Sequence, residues 1–149
     1  MNMKRSYLLA FSLVLSACSA PTEALRVKQF IMRDQSPLTE GDPMILHEKN
    51  SRLYGAVTFQ ERQERLGQYI TVLWDAKPSS GREILFRYRQ GSSRIKEMRR
   101  ALPAKSPSGR EEFNVIGKDY LQNGRILAWK LDLLSNGVTV ASKQSYLWE

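Results

Sequence analysis

The sequence has one cysteine and one histidine among its 149 residues, and both scarcities exclude kinds of site. A single cysteine, Cys18, cannot form a disulfide within the chain, so side-chain packing must stabilise the fold. Zinc sites need several cysteine or histidine ligands, and a Ser-His-Asp triad needs a histidine base. The only histidine, His47, lies in a polar stretch that indicates a surface position. We therefore expect no metal site and no cofactor.

Long hydrophobic runs are also missing. The longest, residues 7–15, is too short to span a bilayer as a helix, which takes about 20 residues. Lys4 and Arg5 precede this run and small residues follow it. A basic start, an apolar middle and a small-residue exit are typical of a secretory signal, so residues 1–17 are predicted to be a signal peptide.

The signal ends on Leu15, Ser16, Ala17 and Cys18, a motif that resembles the lipobox of bacterial lipoproteins. The resemblance implies cleavage before Cys18, a diacylglyceryl group on its sulfur and acylation of the new amino terminus. Several acyl chains anchor a protein durably, whereas one chain alone binds a membrane only marginally. Ser19 in the next position implies the outer membrane. Ordinary signal cleavage at a neighbouring alanine, which would release a soluble domain, is the alternative.

The mature chain is predicted to contain a short tether, residues 18–24, and one domain, residues 25–149. Nine basic and two acidic residues fall between Arg82 and Arg110, while the rest of the mature chain is nearly neutral. An electrostatic partner would therefore meet this basic segment.

Runs of β-branched and aromatic residues alternate with turn residues about every ten positions. They predict strands over 26–33, 53–59, 69–74, 83–89, 95–102, 112–116, 126–134 and 138–148. Alternation places Ile70, Val72 and Trp74 on one face of the third strand, and Ile84, Phe86 and Tyr88 on the inward face of the fourth. No stretch of ten or more residues shows helical periodicity. The pattern favours an all-β, antiparallel two-layer sandwich of seven or eight strands, with a small barrel as the alternative. It resembles immunoglobulin-like and fibronectin type III-like domains, although the Cys…Trp…Cys framework of antibody domains is absent.

Asn136-Gly137 between the last two runs predicts a tight hairpin, because both central residues of such a turn need positive φ. A two-residue loop would place Leu133 opposite Val140. The core face of the first arm would then carry Leu127, Trp129, Leu131 and Leu133.

Residues 77–83 (KPSSGRE) and 105–111 (KSPSGRE) have nearly the same sequence. We interpret them as one turn chemistry used twice before a strand. A matched pair of ligand loops is the alternative.

Carboxylates and aromatic residues give weaker indications. Glu61, Glu64 and the pair Glu111-Glu112 could supply two carboxylates for glycan hydrolysis. The arginines interleaved with Glu61 and Glu64 indicate a solvated surface network instead. We expect no enzymatic activity. Trp74 and Trp129 fall on predicted core faces, whereas Trp148 could belong to a glycan- or small-ligand-binding module, the alternative function.

The basic segment holds the candidate binding residues. Arginine suits phosphate through its planar guanidinium group, and each basic side chain near an anionic membrane contributes about 1 kcal/mol. The residues predicted to meet an anionic surface are Arg87, Arg89, Arg94, Lys96, Arg99 and Arg100. The alternative is a charged edge strand that discourages sheet-to-sheet aggregation.

These features predict a lipoprotein of the bacterial envelope, anchored through Cys18 in the outer membrane and facing the periplasm. Its domain would have a structural or interaction role. Expected partners are the membrane, through the anchor, and an anionic lipid, lipopolysaccharide or envelope protein. Nucleic acid is not expected.

Overall fold

The computed structural model describes residues 23–35, 41–91 and 94–148. The predicted signal peptide and lipobox lie outside these residues. The described elements are β1 (Leu25–Met32), α1 (Pro43–Leu53), α2 (Phe59–Gln63), β2 (Gly67–Asp75), β3 (Arg82–Arg89), β4 (Ile95–Ala101), β5 (Ser108–Ile116), α3 (Gly117–Asn123), β6 (Ala128–Ser135) and β7 (Val138–Gln144).

The strands form two antiparallel sheets, one of order β1-β2-β5 and one of order β4-β3-β6-β7. The predicted all-β two-layer sandwich is confirmed. An immunoglobulin constant domain places its fourth strand beside its fifth. Here β4 pairs with β3 instead. The edge strands of the second sheet are therefore β4 and β7.

The core lies between the sheets and is built by alternation along the strands. In β3, Ile84, Phe86 and Tyr88 are buried, as predicted. The rings of Phe86 and Phe113 lie 5.0 Å apart and join one sheet to the other. The rest of the core comes from both sheets and includes Leu25, Ile70, Val72, Trp74, Val115, Trp129, Leu131 and Leu133.

The sandwich has two distinct ends. At one, here called the tether end, β1 begins at Leu25 beside Trp74, and the loops 76–81 and 102–107 and the hairpin turn 136–137 lie nearby. At the other, the helical end, Gly67 pairs with both neighbouring strands. All three helices adjoin that end in sequence, since α1 and α2 fall between β1 and β2 and α3 directly follows β5.

The predicted strand over 53–59 is wrong, and so is the expectation that no helix of ten residues occurs. The eleven-residue α1 starts with the side chain of Asp42 accepting a hydrogen bond from the Met44 amide, and Pro43 follows the cap. Thr58 and Glu61 then form a capping box that starts α2. These local caps override the β propensity of the residues between them.

The C-terminal hairpin forms as predicted, and Asn136 takes a φ of 49° in its turn. The predicted pairing is off by one residue, because an irregularity between Leu133 and Leu134 shifts the register. Leu133 therefore faces Ala141. Leu127 is also misplaced by the prediction: it precedes β6 and is 46% exposed.

Candidate functional site

The six predicted basic residues run along β3 and β4, but alternation divides them between two faces. Arg87, Arg89 and Arg99 are on the outer face of the second sheet, since Arg87 pairs with Glu97 and Leu85 pairs with Arg99. Lys96 and Arg100 share the core-facing side with Tyr88 and Ile84. The segment therefore does not form one continuous basic surface.

On the outer face, Arg87 makes an ion pair with Asp132, a buried carboxylate on the neighbouring β6. Ser142 of β7 donates to the same carboxylate at 2.7 Å. The Arg89 guanidinium lies over the Trp148 ring, 5.4 Å from its centroid. Arg99 bridges Glu83 and Glu97 at 3.2 and 3.6 Å. These charges are largely committed within the sheet.

On the core-facing side of β4, the two basic side chains connect the edge to other elements. Lys96 contacts Asp119 of α3 at 2.6 Å and the side-chain oxygen of Gln90 at 2.7 Å. Arg100 lies 5.6 Å from the centroid of the Phe113 ring in the other sheet. Inward-pointing charge on an edge strand is a known protection against strand addition. Arg94 alone of the six has no polar or aromatic partner among the described residues.

Arg82, which no sequence pattern singled out, is the most connected basic side chain. It is 3% exposed, and its guanidinium lies 5.1 Å from the centroid of the Trp74 ring. It donates to six backbone carbonyls, and no carboxylate faces it among the described residues. The acceptors are those of Ala76, Lys77, Ser79, Pro103, Ala104 and Ser106. One side chain thus ties together the two loops at the tether end.

A second arginine joins α1 to the outer face of the first sheet. Arg52 binds Glu112 of β5 through two nitrogens, at 2.5 and 2.6 Å. It also donates to Glu48 at 2.7 and 2.9 Å and covers the Tyr69 ring at 4.2 Å. The hydrogen bonds that Arg52 donates to Glu112 raise the pKa of Arg52.

The pKa values of Glu112 and Tyr69, which both contact Arg52, shift in opposite directions. Partial burial alone would raise the pKa of Glu112, but the hydrogen bonds and charge of Arg52 outweigh it and hold that pKa below its usual range. Burial raises the pKa of Tyr69, whose hydroxyl donates to the Arg65 carbonyl at 2.6 Å. Glu112 therefore stays ionised and Tyr69 neutral around pH 7.

A polar cavity of about 510 Å³, here called the α1 cavity, opens beside Arg52 and Tyr69. It is lined by His47, Glu48, Ser51, Arg52, Arg65, Tyr69, Arg110 and Ile116. Arg65 uses one nitrogen to bind the carbonyls of Arg52 and Tyr54, at 2.8 and 2.9 Å. Its other donors have no partner among the described residues, and the side chain of Arg110 is 60% exposed. Arg110 also makes a 3.5 Å ion pair with Glu112, so the cavity offers a small anion the remaining donors of Arg65 and one weakly paired arginine.

The remaining candidates take structural positions. Glu61 accepts hydrogen bonds from the amides of Val57 and Thr58, both at 2.8 Å. His47 is exposed on α1. Trp74 and Trp129 are buried, as predicted. In the part of the chain that is described, no three histidine, cysteine, aspartate or glutamate side chains cluster as a metal site would require. None of the helices described there is both long and apolar enough to cross a membrane.

The chain has no match among protein-family models, curated proteins or solved structures.

Proposed function

We propose that the protein is a lipid-anchored lipoprotein of the bacterial envelope, in which a non-catalytic β-sandwich has a structural or interaction role. The observation that carries this proposal is the motif Leu15-Ser16-Ala17-Cys18 at the end of a signal-like segment. Acylation there supplies a membrane anchor without a spanning helix. Ser19 favours the outer membrane, with the domain in the periplasm.

The fold is consistent with a domain held close to its anchor. Glu23 is ion-paired with Lys143 of β7, and the Ala24 carbonyl accepts a hydrogen bond from the Asp75 amide at 2.9 Å. Only four residues lie between Cys18 and Glu23, which makes five residue steps. Such a tether spans at most about 18 Å when fully extended. An anchored sandwich would therefore remain at the membrane surface.

A non-catalytic role is supported by what the candidate catalytic side chains do. Glu61 caps a helix, and Glu112 is bound by Arg52. A general acid or base must be free to exchange a proton with a substrate. These carboxylates are occupied by hydrogen bonds that keep them ionised.

The test is mass spectrometry of the protein purified from its native membrane, beside a Cys18→Ser variant. We expect an N-terminal peptide that begins at Cys18 and carries acyl mass, and a variant that lacks both. Ala17→Ser, which keeps a small residue before the cysteine, is the matched control and should still be acylated. A mature terminus elsewhere, without lipid, would contradict the proposal.

A second candidate, a small-ligand-binding module, is favoured by the α1 cavity. Arg65 has donors there that no described residue accepts, and Arg110 makes only a 3.5 Å ion pair with Glu112. Both guanidinium groups suit a carboxylate or phosphate group. Titration of the unlipidated domain with glucuronate or inorganic phosphate, followed by NMR, would test it. Shifts confined to residues around the cavity, lost in Arg65→Met but kept in Arg125→Met, are expected. A flat titration would exclude this candidate for these two ligands.

A further inference from the structure

The tether end has a charge and a position that suit a membrane surface. Its two loops each expose a lysine, Lys77 and Lys105, and neither makes an ion pair among the described residues. Val138, next to the hairpin turn, is 67% exposed. The acids nearby are Glu23, which is paired with Lys143, and the exposed Asp75. Exposed lysines beside an exposed apolar side chain are a composition that favours an anionic lipid interface.

The length of the tether limits how the domain can lie. The nine residues of β2 extend about 27 Å from the helical end to the tether end. The tether, fixed at Glu23, reaches at most about 18 Å. It is therefore too short to run the length of the sandwich and let the helical end face the anchor.

We propose that the tether end rests on the anionic phospholipid headgroups of the membrane that holds the anchor, with Lys77 and Lys105 against the phosphates. The inference rests on the proposed lipid anchor. Arg82 positions this contact surface, since it binds backbone carbonyls in both lysine-bearing loops. The helical end, with the α1 cavity on its flank, then faces away from the bilayer.

Fluorescence quenching in vesicles tests this orientation. The proposed lipid is attached to the sulfur of Cys18, the only native cysteine, so one introduced cysteine carries the only fluorescent label. The label is placed at the tether end by Ser80→Cys, or on α3 by Gln122→Cys as the matched control. The full lipidated chain is reconstituted into phosphatidylcholine vesicles containing phosphatidylglycerol and a lipid with a headgroup-attached quencher. We expect the label at residue 80 to be quenched several-fold more than the label at residue 122.

Charge reversal separates the lysine contact from the tether alone. Lys77→Glu with Lys105→Glu should reduce the difference in quenching between the two labels several-fold, because each lysine near an anionic surface shifts binding about fivefold. The smaller difference that the short tether imposes should remain. Lys118→Glu with Arg125→Glu changes the net charge equally at the helical end and should leave the difference intact.

The outcomes are distinct. Protein that floats with the vesicles but quenches equally at both positions, or more at residue 122, would overturn the orientation and leave the anchor standing. A difference that the Lys77 and Lys105 reversals do not reduce would overturn the lysine contact. Protein that carries no lipid and does not float would overturn both the anchor and this inference.

Discussion

Residues 77–83 and 105–111 have nearly the same sequence, yet the fold gives their matching arginines opposite environments. Arg82 is buried and bound by six carbonyls, whereas Arg110 is exposed beside the α1 cavity. The difference is one of phase. Arg82 stands two residues before the core residue Ile84, while Arg110 stands three before Phe113. Because strand side chains alternate, the same arginine points inward in one strand and outward in the other.

The matching glycines of these two segments, Gly81 and Gly109, also meet different structural requirements. Gly81 has a φ of 67°, a left-handed conformation that favours glycine. Gly109 has an ordinary extended backbone, but a Cβ there would lie 2.7 Å from Cζ2 of the Trp74 ring. Gly81 thus meets a backbone requirement and leaves space for the Asn136 side chain, whereas Gly109 leaves space for the Trp74 ring. Similar sequence therefore does not imply a similar structural requirement.

The largest effect is expected from Arg82→Ala. It leaves six carbonyls at the tether end without their donor, and we expect a loss of about 4 kcal/mol in the free energy of unfolding. Urea denaturation of the unlipidated domain, followed by tryptophan fluorescence, measures this. Arg82→Lys keeps the charge but has too few donors, and should also be strongly destabilised. A loss below about 1 kcal/mol would show that Arg82 and Arg110 contribute more similarly to stability than the fold indicates.

Gly109→Ala should cost about 2 kcal/mol, because the added methyl group overlaps the Trp74 ring. The cause can be isolated with a double-mutant cycle. In a Trp74→Phe background the ring no longer extends to the Cζ2 position, so the cost of Gly109→Ala should shrink. The cost of Gly81→Ala, which arises from the positive φ and from the overlap of the added Cβ with the Asn136 side chain, should stay the same in that background. Equal costs of Gly109→Ala in both backgrounds would remove the ring as the cause.

The two regions should also differ in their response to acid. Arg110 and Arg52 both face Glu112, whose pKa is lowered, whereas no carboxylate faces Arg82 among the described residues. A lowered folded-state pKa adds stability above the unfolded-state pKa, and this stability is lost as the pH falls through the folded-state value. Glu112→Gln should therefore cost about 1 to 2 kcal/mol at pH 7 and progressively less below about pH 5.

Denaturation curves at several pH values compare the wild type with Glu112→Gln. Thr71→Val on the neighbouring strand is a control, since it removes a weak contact to the same carboxylate, 3.4 Å long, but not the ion pair. A Glu112→Gln cost that does not change between pH 7 and pH 3 would contradict the assignment of the lowered pKa to Glu112.

The smallest effect is expected from Arg110→Ala, below about 0.5 kcal/mol, because the side chain is exposed and its contact to Glu112 is 3.5 Å long. Thermal unfolding of the variant beside wild type suffices. A loss of stability approaching that of Arg82→Ala would mean that Arg110 stabilises its own loop as Arg82 does.

The sequence predicted the sandwich well where alternation was strong. Ile84, Phe86 and Tyr88 of β3 and Ile70, Val72 and Trp74 of β2 were assigned to the core correctly, because apolar residues at every second position leave one choice of face. The same rule, extended two residues upstream of Ile84, places Arg82 on the core face. The inward-facing arginine could therefore have been recognised, although its six acceptors come from loops whose paths alternation does not determine.

The misplaced elements have local causes. Residues 53–59 have β propensity, but Asp42-Pro43 and the Thr58–Glu61 box are helix-start signals that compete with it. The hairpin register shifted because an irregularity after Leu133 depends on packing between strands. The predicted basic surface was divided because composition gives the charge of a segment but not the pairing of its strands. The proposed anionic binding by those residues remains a prediction.

The carbonyls around Arg82 also set an order of events for a chain that is synthesised from its N-terminus. Ala76, Lys77 and Ser79 emerge before the guanidinium group, whereas Pro103, Ala104 and Ser106 emerge more than twenty residues after it. When the arginine emerges, half of its final acceptors are therefore still to come. Water hydrates the guanidinium group until the loop after β4 has followed. The tether end can therefore close only late in the emergence of the chain.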